Sequence, residues 1–151
     1  MCMTDINFYH LTALPLEKAL PKLMEKVFES GSPALIQTDS PEQTQKLDTI
    51  LWTYSTITFI PHGTKKDKYP ECQPIYITDT EENPNQASIL VLPDNNRPSS
   101  VDAFSRCLYM FDGNNDAELA KARERWQDFK RAGHTLVYWQ QNAKGQWEKA
   151  A

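Results

Sequence analysis

Short apolar runs alternate along this chain with stretches in which apolar residues return every three or four positions. Ile6 to Leu11 (INFYHL) is the first run and predicts a strand. Pro15 suits the first turn of a helix, and Leu16, Ala19, Leu20, Leu23, Met24 and Val27 then repeat at helical spacing. Pro21 falls inside that repeat, and its missing N–H donor predicts a kink or a restart. Gly31 closes the helix, and Ala34 to Gln37 (ALIQ) follows as a short buried strand. Strand, helix, strand is the order of a right-handed βαβ unit. Ser40, Pro41 and Gln43 read as the cap, first position and capping-box partner of a second helix. It carries Leu47, Ile50 and Leu51, with Trp52 near its end. An irregular segment from Thr53 to Gly63 contains Phe59, Pro61 and His62, and a polar loop from Thr64 to Gln73 contains Lys65, Lys66 and Lys68.

Pro74 to Thr78 (PIYIT), Ser88 to Leu92 (SILVL), Arg106 to Phe111 (RCLYMF) and His134 to Trp139 (HTLVYW) are the remaining predicted strands. The last strong helix runs from Asp116 to Gly133. Together these elements predict an α/β fold, a single three-layer Rossmann-like domain with a mostly parallel or mixed sheet and helices on both faces. The domain is expected over residues 1–140, with 141–151 a polar, mobile tail interrupted only by Trp147.

Composition narrows the function classes. With 151 residues, 40% apolar and 24% charged, the chain suits one soluble domain. Sixteen cations against 20 anions give a net charge of −4, which argues against general nucleic-acid binding. Cys2, Cys72 and Cys107 have no paired spacing and no signal peptide precedes them, so reduced thiols and a cytoplasmic location are expected. No apolar run approaches the ~20 residues of a membrane span.

The sequence offers little catalytic chemistry. Gly31, Gly63, Gly113, Gly133 and Gly145 are scattered, and the first strand leads into Thr12-Ala13-Leu14-Pro15 rather than a glycine-rich phosphate cradle. No cofactor is therefore expected. His62 and Cys72 lack the two-plus-two spacing of a zinc site. Asp79, Glu81 and Glu82 read as a solvated turn, and His10 and His134 as hydrogen-bonded packing residues at strand edges. Neither a metal site nor a catalytic set emerges.

The last helix stands out instead. From Lys121 to Arg131 it carries Lys121, Arg123, Arg125, Lys130 and Arg131 against Glu124 and Asp128, a local surplus of three positive charges in an acidic chain. At about 100° per residue, Leu119, Ala122, Trp126 and Phe129 share one arc, with Arg123 and Lys130 at one edge and Arg125 at the other. A cationic rim around an aromatic floor suits a peptide that is both acidic and apolar. The second feature is the aromatic pair Trp52 and Phe59, at a helix end and in an irregular segment, where partner-binding anchors are frequent.

These two segments carry a family resemblance. LDTILWTYSTITFIPHG, then PIYIT, then ARERWQDFKRAGHTLVYW, preceded by FYHL, resemble the chi subunit of bacterial DNA polymerase III holoenzyme across nearly the whole chain. The most specific parts are Leu47, Asp48, Leu51, Trp52, Phe59, Pro61 and His62, and the run Ala122 to Trp126 with Ala132 and Gly133. The resemblance implies a non-catalytic accessory subunit, monomeric within a larger complex, in the clamp-loader assembly that serves DNA replication. It implies binding of the acidic, Phe-terminated carboxyl tail of single-stranded-DNA-binding protein. Arg123 would clamp the tail's terminal carboxylate, and Trp126 would form an apolar wall where the family frequently has Tyr. Gln127 stands where some members have Lys, so Lys130 or Lys121 would supply charge for the tail's aspartates. Trp52, Phe59, Pro61 and His62 match a patch that holds the psi subunit, or a helicase-like partner, and psi reaches the clamp loader in turn. Two other readings stay open on the residues alone: a nucleotide-using enzyme on this fold, and direct single-strand DNA binding through Lys65, Lys66, Lys68 and the aromatics.

Overall fold

Strict alternation of side chains along β1 (Asp5–Leu11) sends Ile6 and Phe8 to one face of a sheet and Leu11 toward the other core. A computed structural model describes residues 4–54, 62–64, 69–80, 82–93, 101, 104–144 and 146–150. The further strands are β2 (Ala34–Gln37), β3 (Gly63–Thr64), β4 (Ile75–Thr78), β5 (Ile89–Leu92), β6 (Arg106–Asp112), β7 (Thr135–Gln141) and β8 (Trp147–Lys149). Among the described residues they form one eight-stranded sheet in the order β3-β4-β2-β5-β6-β1-β7-β8. Its neighbours pair in parallel, except for the antiparallel β7–β8 hairpin. The sheet is therefore mixed.

Helices α1 (Leu16–Glu29) and α2 (Pro41–Thr53) cover one face, where Leu20, Met24, Leu47 and Leu51 meet Ile36, Ile77, Val91 and Met110. Helix α3 (Asp116–Arg131) covers the other, where Ala122 meets a core of Phe8, Leu90, Tyr109 and Phe111. Three layers result, as the alternation of patterns predicts. The β1–β6 and β1–β7 registers hold the centre, with Phe8 opposite both Tyr109 and Tyr138.

Local chemistry accounts for the helix ends. Ser40 Oγ accepts from Gln43 N at 3.1 Å, while Gln43 Oε1 accepts from Asp39 N at 3.0 Å, so the side chains of Ser40 and Gln43 share the donors at the start of α2. Helix α3 ends in a Schellman turn: His134 N donates to Phe129 O and Gly133 N to Lys130 O, with Gly133 at φ +89°. Pro21 does not restart α1, which runs continuously from Leu16 to Glu29 with Leu16, Ala19, Leu20, Met24 and Val27 buried on both sides of it. Beyond residue 140, β7 extends to Gln141, the chain returns as β8, and Trp147 stands edge-on to Tyr9 at 5.0 Å.

Candidate functional site

Helix α3 is built for its position on the sheet. Asn115 caps it, its side-chain oxygen accepting from Ala117 N at 3.0 Å and Glu118 N at 3.2 Å. Asp116 and Glu118 lie in the first turn and Lys130 and Arg131 in the last, each matching the helix dipole. Within α3 Ala122 alone is fully buried, while Leu119, Trp126 and Phe129 are half-buried against the aromatic core. Trp126 meets Phe8 edge-on at 5.2 Å and Tyr138 at 5.7 Å. Phe129 meets Phe8 at 6.1 Å. The apolar arc expected of this helix is therefore a packing surface, but an incomplete one. Leu136 and Tyr138 of β7 beneath it are only half-buried.

Arg123 is exposed at the edge of this aromatic floor. Its guanidinium acts electrostatically on two groups of the sheet, the Tyr138 phenol and the His10 imidazole. Burial pushes the Tyr138 phenol above its ordinary value, and the Arg123 charge opposes that rise. Burial lowers the affinity of His10 for a proton, and Arg123 lowers it further, while the Gly113 carbonyl and Asp112 pull the other way. His10 Nδ1 and Tyr138 Oη are hydrogen-bonded at 2.5 Å across β1 and β7.

The remaining cations distribute around the helix. Gln127 and Lys130 are exposed and, by helical geometry, share the Arg123 flank within about 40° of it. Lys121 lies roughly 160° from Arg123, on the opposite side of the helix, so of the two lysines only Lys130 shares the Arg123 flank. Arg125 turns to the other flank, where its charge acts on the buried Tyr109 phenol. Arg131 is engaged locally with Asp128 at 3.4 Å.

The second aromatic feature sits at the end of α2. Trp52 is 54% exposed, and its ring lies 5.0 Å from that of buried His62. His62 Nε2 lies 3.0 Å from Asp48 Oδ1. Phe59, Pro61 and the lysines Lys65, Lys66 and Lys68 lie outside the described residues.

A third location is the cleft at the carboxyl ends of β1, β2 and β6, where open α/β sheets commonly hold ligands. It encloses about 720 Å³ between the β1–α1 loop and the starts of α2 and α3. Its charged lining is Glu17, Asp39, Asp112 and Glu118, all anionic, which repels phosphate. The loop that would cradle a phosphate is already filled. Gln141 Oε1 accepts from Thr12 N at 3.2 Å, Ala13 N at 2.9 Å and Leu14 N at 2.9 Å. Three donors converging on one atom identify it as the amide oxygen. Among the described residues, no group of three or more His, Cys, Asp or Glu side chains could hold a metal ion. No helix among them is long and apolar enough to cross a membrane.

Sequence reading missed His10, Tyr138 and Gln141 as contributors. A signal existed for the first two: His10 is two residues beyond Phe8, and Tyr138 two beyond Leu136, so both share the α3 face. Gly113 is the third sign. A Cβ there would stand 1.8 Å from His10 Nε2, so the imidazole lies directly on this glycine.

Comparison with known proteins agrees with the resemblance noted above. Residues 3–137 match the family described as DNA polymerase III chi subunit, HolC. A protein of Rickettsia prowazekii (strain Madrid E) named "Probable DNA polymerase III subunit chi" is 44% identical over 90 residues, 60% of this chain. The match spans about half of that relative, 54% of its length. With a family match over most of its length, the chain belongs to the DNA polymerase III chi subunit family.

Proposed function

We propose that this protein is a non-catalytic adaptor of the replicative polymerase that captures the acidic, Phe-ended carboxyl tail of single-stranded-DNA-binding protein. The observation that carries this reading is the exposed Arg123 above the half-buried Trp126–Tyr138 pair, in a chain whose net charge is −4. A guanidinium offers two parallel donors to a terminal carboxylate, and the adjacent aromatic edges offer apolar surface to a phenyl ring. Lys130 adds positive potential for acidic residues preceding that ring, while Gln127 contributes a neutral amide. Such a peptide orders on binding, so its affinity is modest.

The nucleotide reading is disfavoured by Gln141, which satisfies the N–H groups a phosphate would need, and by the anionic cleft beside them. Trp52 supports a second protein contact. An indole 54% exposed at a helix end suits a docking anchor for psi, or for a helicase-like partner, through which the adaptor would reach the clamp loader.

Calorimetric titration with an acidic peptide ending in Pro-Phe tests the main reading. Binding is expected at roughly 0.05 M salt and several-fold weaker at roughly 0.5 M, because exposed charge pairs are screened. Absence of binding even at low salt would rule out the tail as the ligand of this edge.

A further inference from the structure

The Arg123 edge has a polar partner on the sheet that neither the family match nor the aromatic packing calls for. His10 and Tyr138 are 128 residues apart in sequence, yet β1–β7 pairing joins them in a 2.5 Å hydrogen bond. The imidazole is fixed from three sides. Gly113 lies against its Nε2, the Phe111 ring centroid is 5.2 Å away, and Tyr138 meets it edge-on. Tyr138 in turn touches Trp126, one helical turn beyond Arg123. The charged and titratable groups facing His10 are Asp112 from β6, Arg123 from α3 and Tyr138 from β7, together with the Gly113 carbonyl. The phenol and imidazole thus form a bonded pair beside the aromatic floor, and the Arg123 charge acts on both.

We infer that Tyr138 and His10 form the sheet-side half of the carboxylate seat opposite Arg123, so that the site gains a proton when it binds the acid end of its peptide. This rests on the reading of α3 as the peptide site. In the free protein burial and Arg123 favour the neutral form of His10, against the pull of the Gly113 carbonyl and Asp112. Its Nε2–H then serves the Gly113 carbonyl, its Nδ1 accepts the Tyr138 hydroxyl proton, and the phenol has no hydrogen to offer an acid. A carboxylate at Arg123 cancels the charge that opposes protonation. His10 takes one proton from solvent at Nδ1 and donates it to the Tyr138 oxygen. The Tyr138 hydroxyl keeps its own proton and turns it to the carboxylate. No bond other than hydrogen bonds is made or broken. The sign follows: the bound state holds the proton more tightly than the free state, so affinity rises as pH falls through the window between the two.

The test is calorimetry of the wild type with the Phe-ended acidic peptide, in paired buffers of different ionisation enthalpy, between about pH 8 and pH 5.5. The peptide carboxylates stay ionised across that range. Proton uptake and an affinity rise of about three- to ten-fold toward low pH are expected, one unit of pKa shift corresponding to a tenfold change. His10→Gln should bind without proton uptake and with a flat profile at the wild-type high-pH level. Tyr138→Phe should bind several-fold more weakly than wild type at the low-pH end and match it at the high-pH end. Peptide binding that requires Arg123 yet shows no proton uptake, or a profile unchanged in His10→Gln, overturns this inference alone. No binding at any pH overturns the underlying site as well.

Discussion

Arg123→Ala is expected to weaken binding of the acidic Phe-ended peptide by about 1.5–3 kcal/mol, roughly ten- to 150-fold. The magnitude is that of a charge-assisted contact to a carboxylate, and the loss should appear almost wholly in affinity. Arg123 is exposed, so its truncation removes no buried packing, and folding stability should stay within about 0.5 kcal/mol of wild type. Arg123→Lys separates charge from geometry. It keeps the cation but loses the planar fork, and an affinity between wild type and Arg123→Ala is expected. Lys121→Ala provides contrast, because its side of the helix is turned away from the floor formed by Trp126 and Tyr138. Titration calorimetry on the three variants reads all of this, and unchanged affinity in Arg123→Ala would take the residue out of the site.

Gln141→Ala should cost stability instead. Its side-chain oxygen is the acceptor for the N–H groups of Thr12, Ala13 and Leu14, and the residue is only 3% exposed. Truncation leaves three backbone donors without their acceptor. A buried unsatisfied donor costs about 1–3 kcal/mol, but Ala13 is exposed and Thr12 and Leu14 partly so, and water recovers part of the loss. A net cost of about 2–4 kcal/mol is expected, a drop of roughly 5–15 °C in melting temperature for a domain of this size. Gln141→Glu retains an oxygen acceptor at the same reach and should lose less. Melting curves equal to wild type for Gln141→Ala would mean that the loop does not depend on this amide.

Gln141 also illustrates what the sequence made legible and what it did not. The apolar periods placed β1, β2, β4, β5, β6, β7 and the helices α1, α2 and α3, because burial on a sheet or helix face repeats every two or every 3.6 residues and is written locally. The same period put Leu119, Ala122, Trp126 and Phe129 on one arc and Arg123 at its rim. At Pro21 the restart that a missing donor suggests does not occur, because buried residues on both sides of it keep α1 continuous. The short strands β3 and β8, two and three residues long, carry too little pattern to be seen. The sheet-side groups escaped for a different reason. Gln141 meets a loop 127 to 129 residues away, and Tyr138 meets His10 at a separation of 128, so their partners are set by the pairing of β1 with β7. Alternation marks the face that Tyr138 shares with His10 but not their pairing, and a glutamine near the end of a strand has no local mark of such a role.

An acidic tail seated on the edge of α3 over β7 should be visible in backbone amide chemical-shift mapping during titration with the Phe-ended acidic peptide. The largest shifts are expected at Arg123, Trp126 and Gln127 on α3 and at Tyr138 on β7, with the Trp52 and His62 region and the Thr12–Leu14 loop little changed. Shifts centred on Trp52, or on the loop held by Gln141, with α3 unmoved, would place the peptide elsewhere.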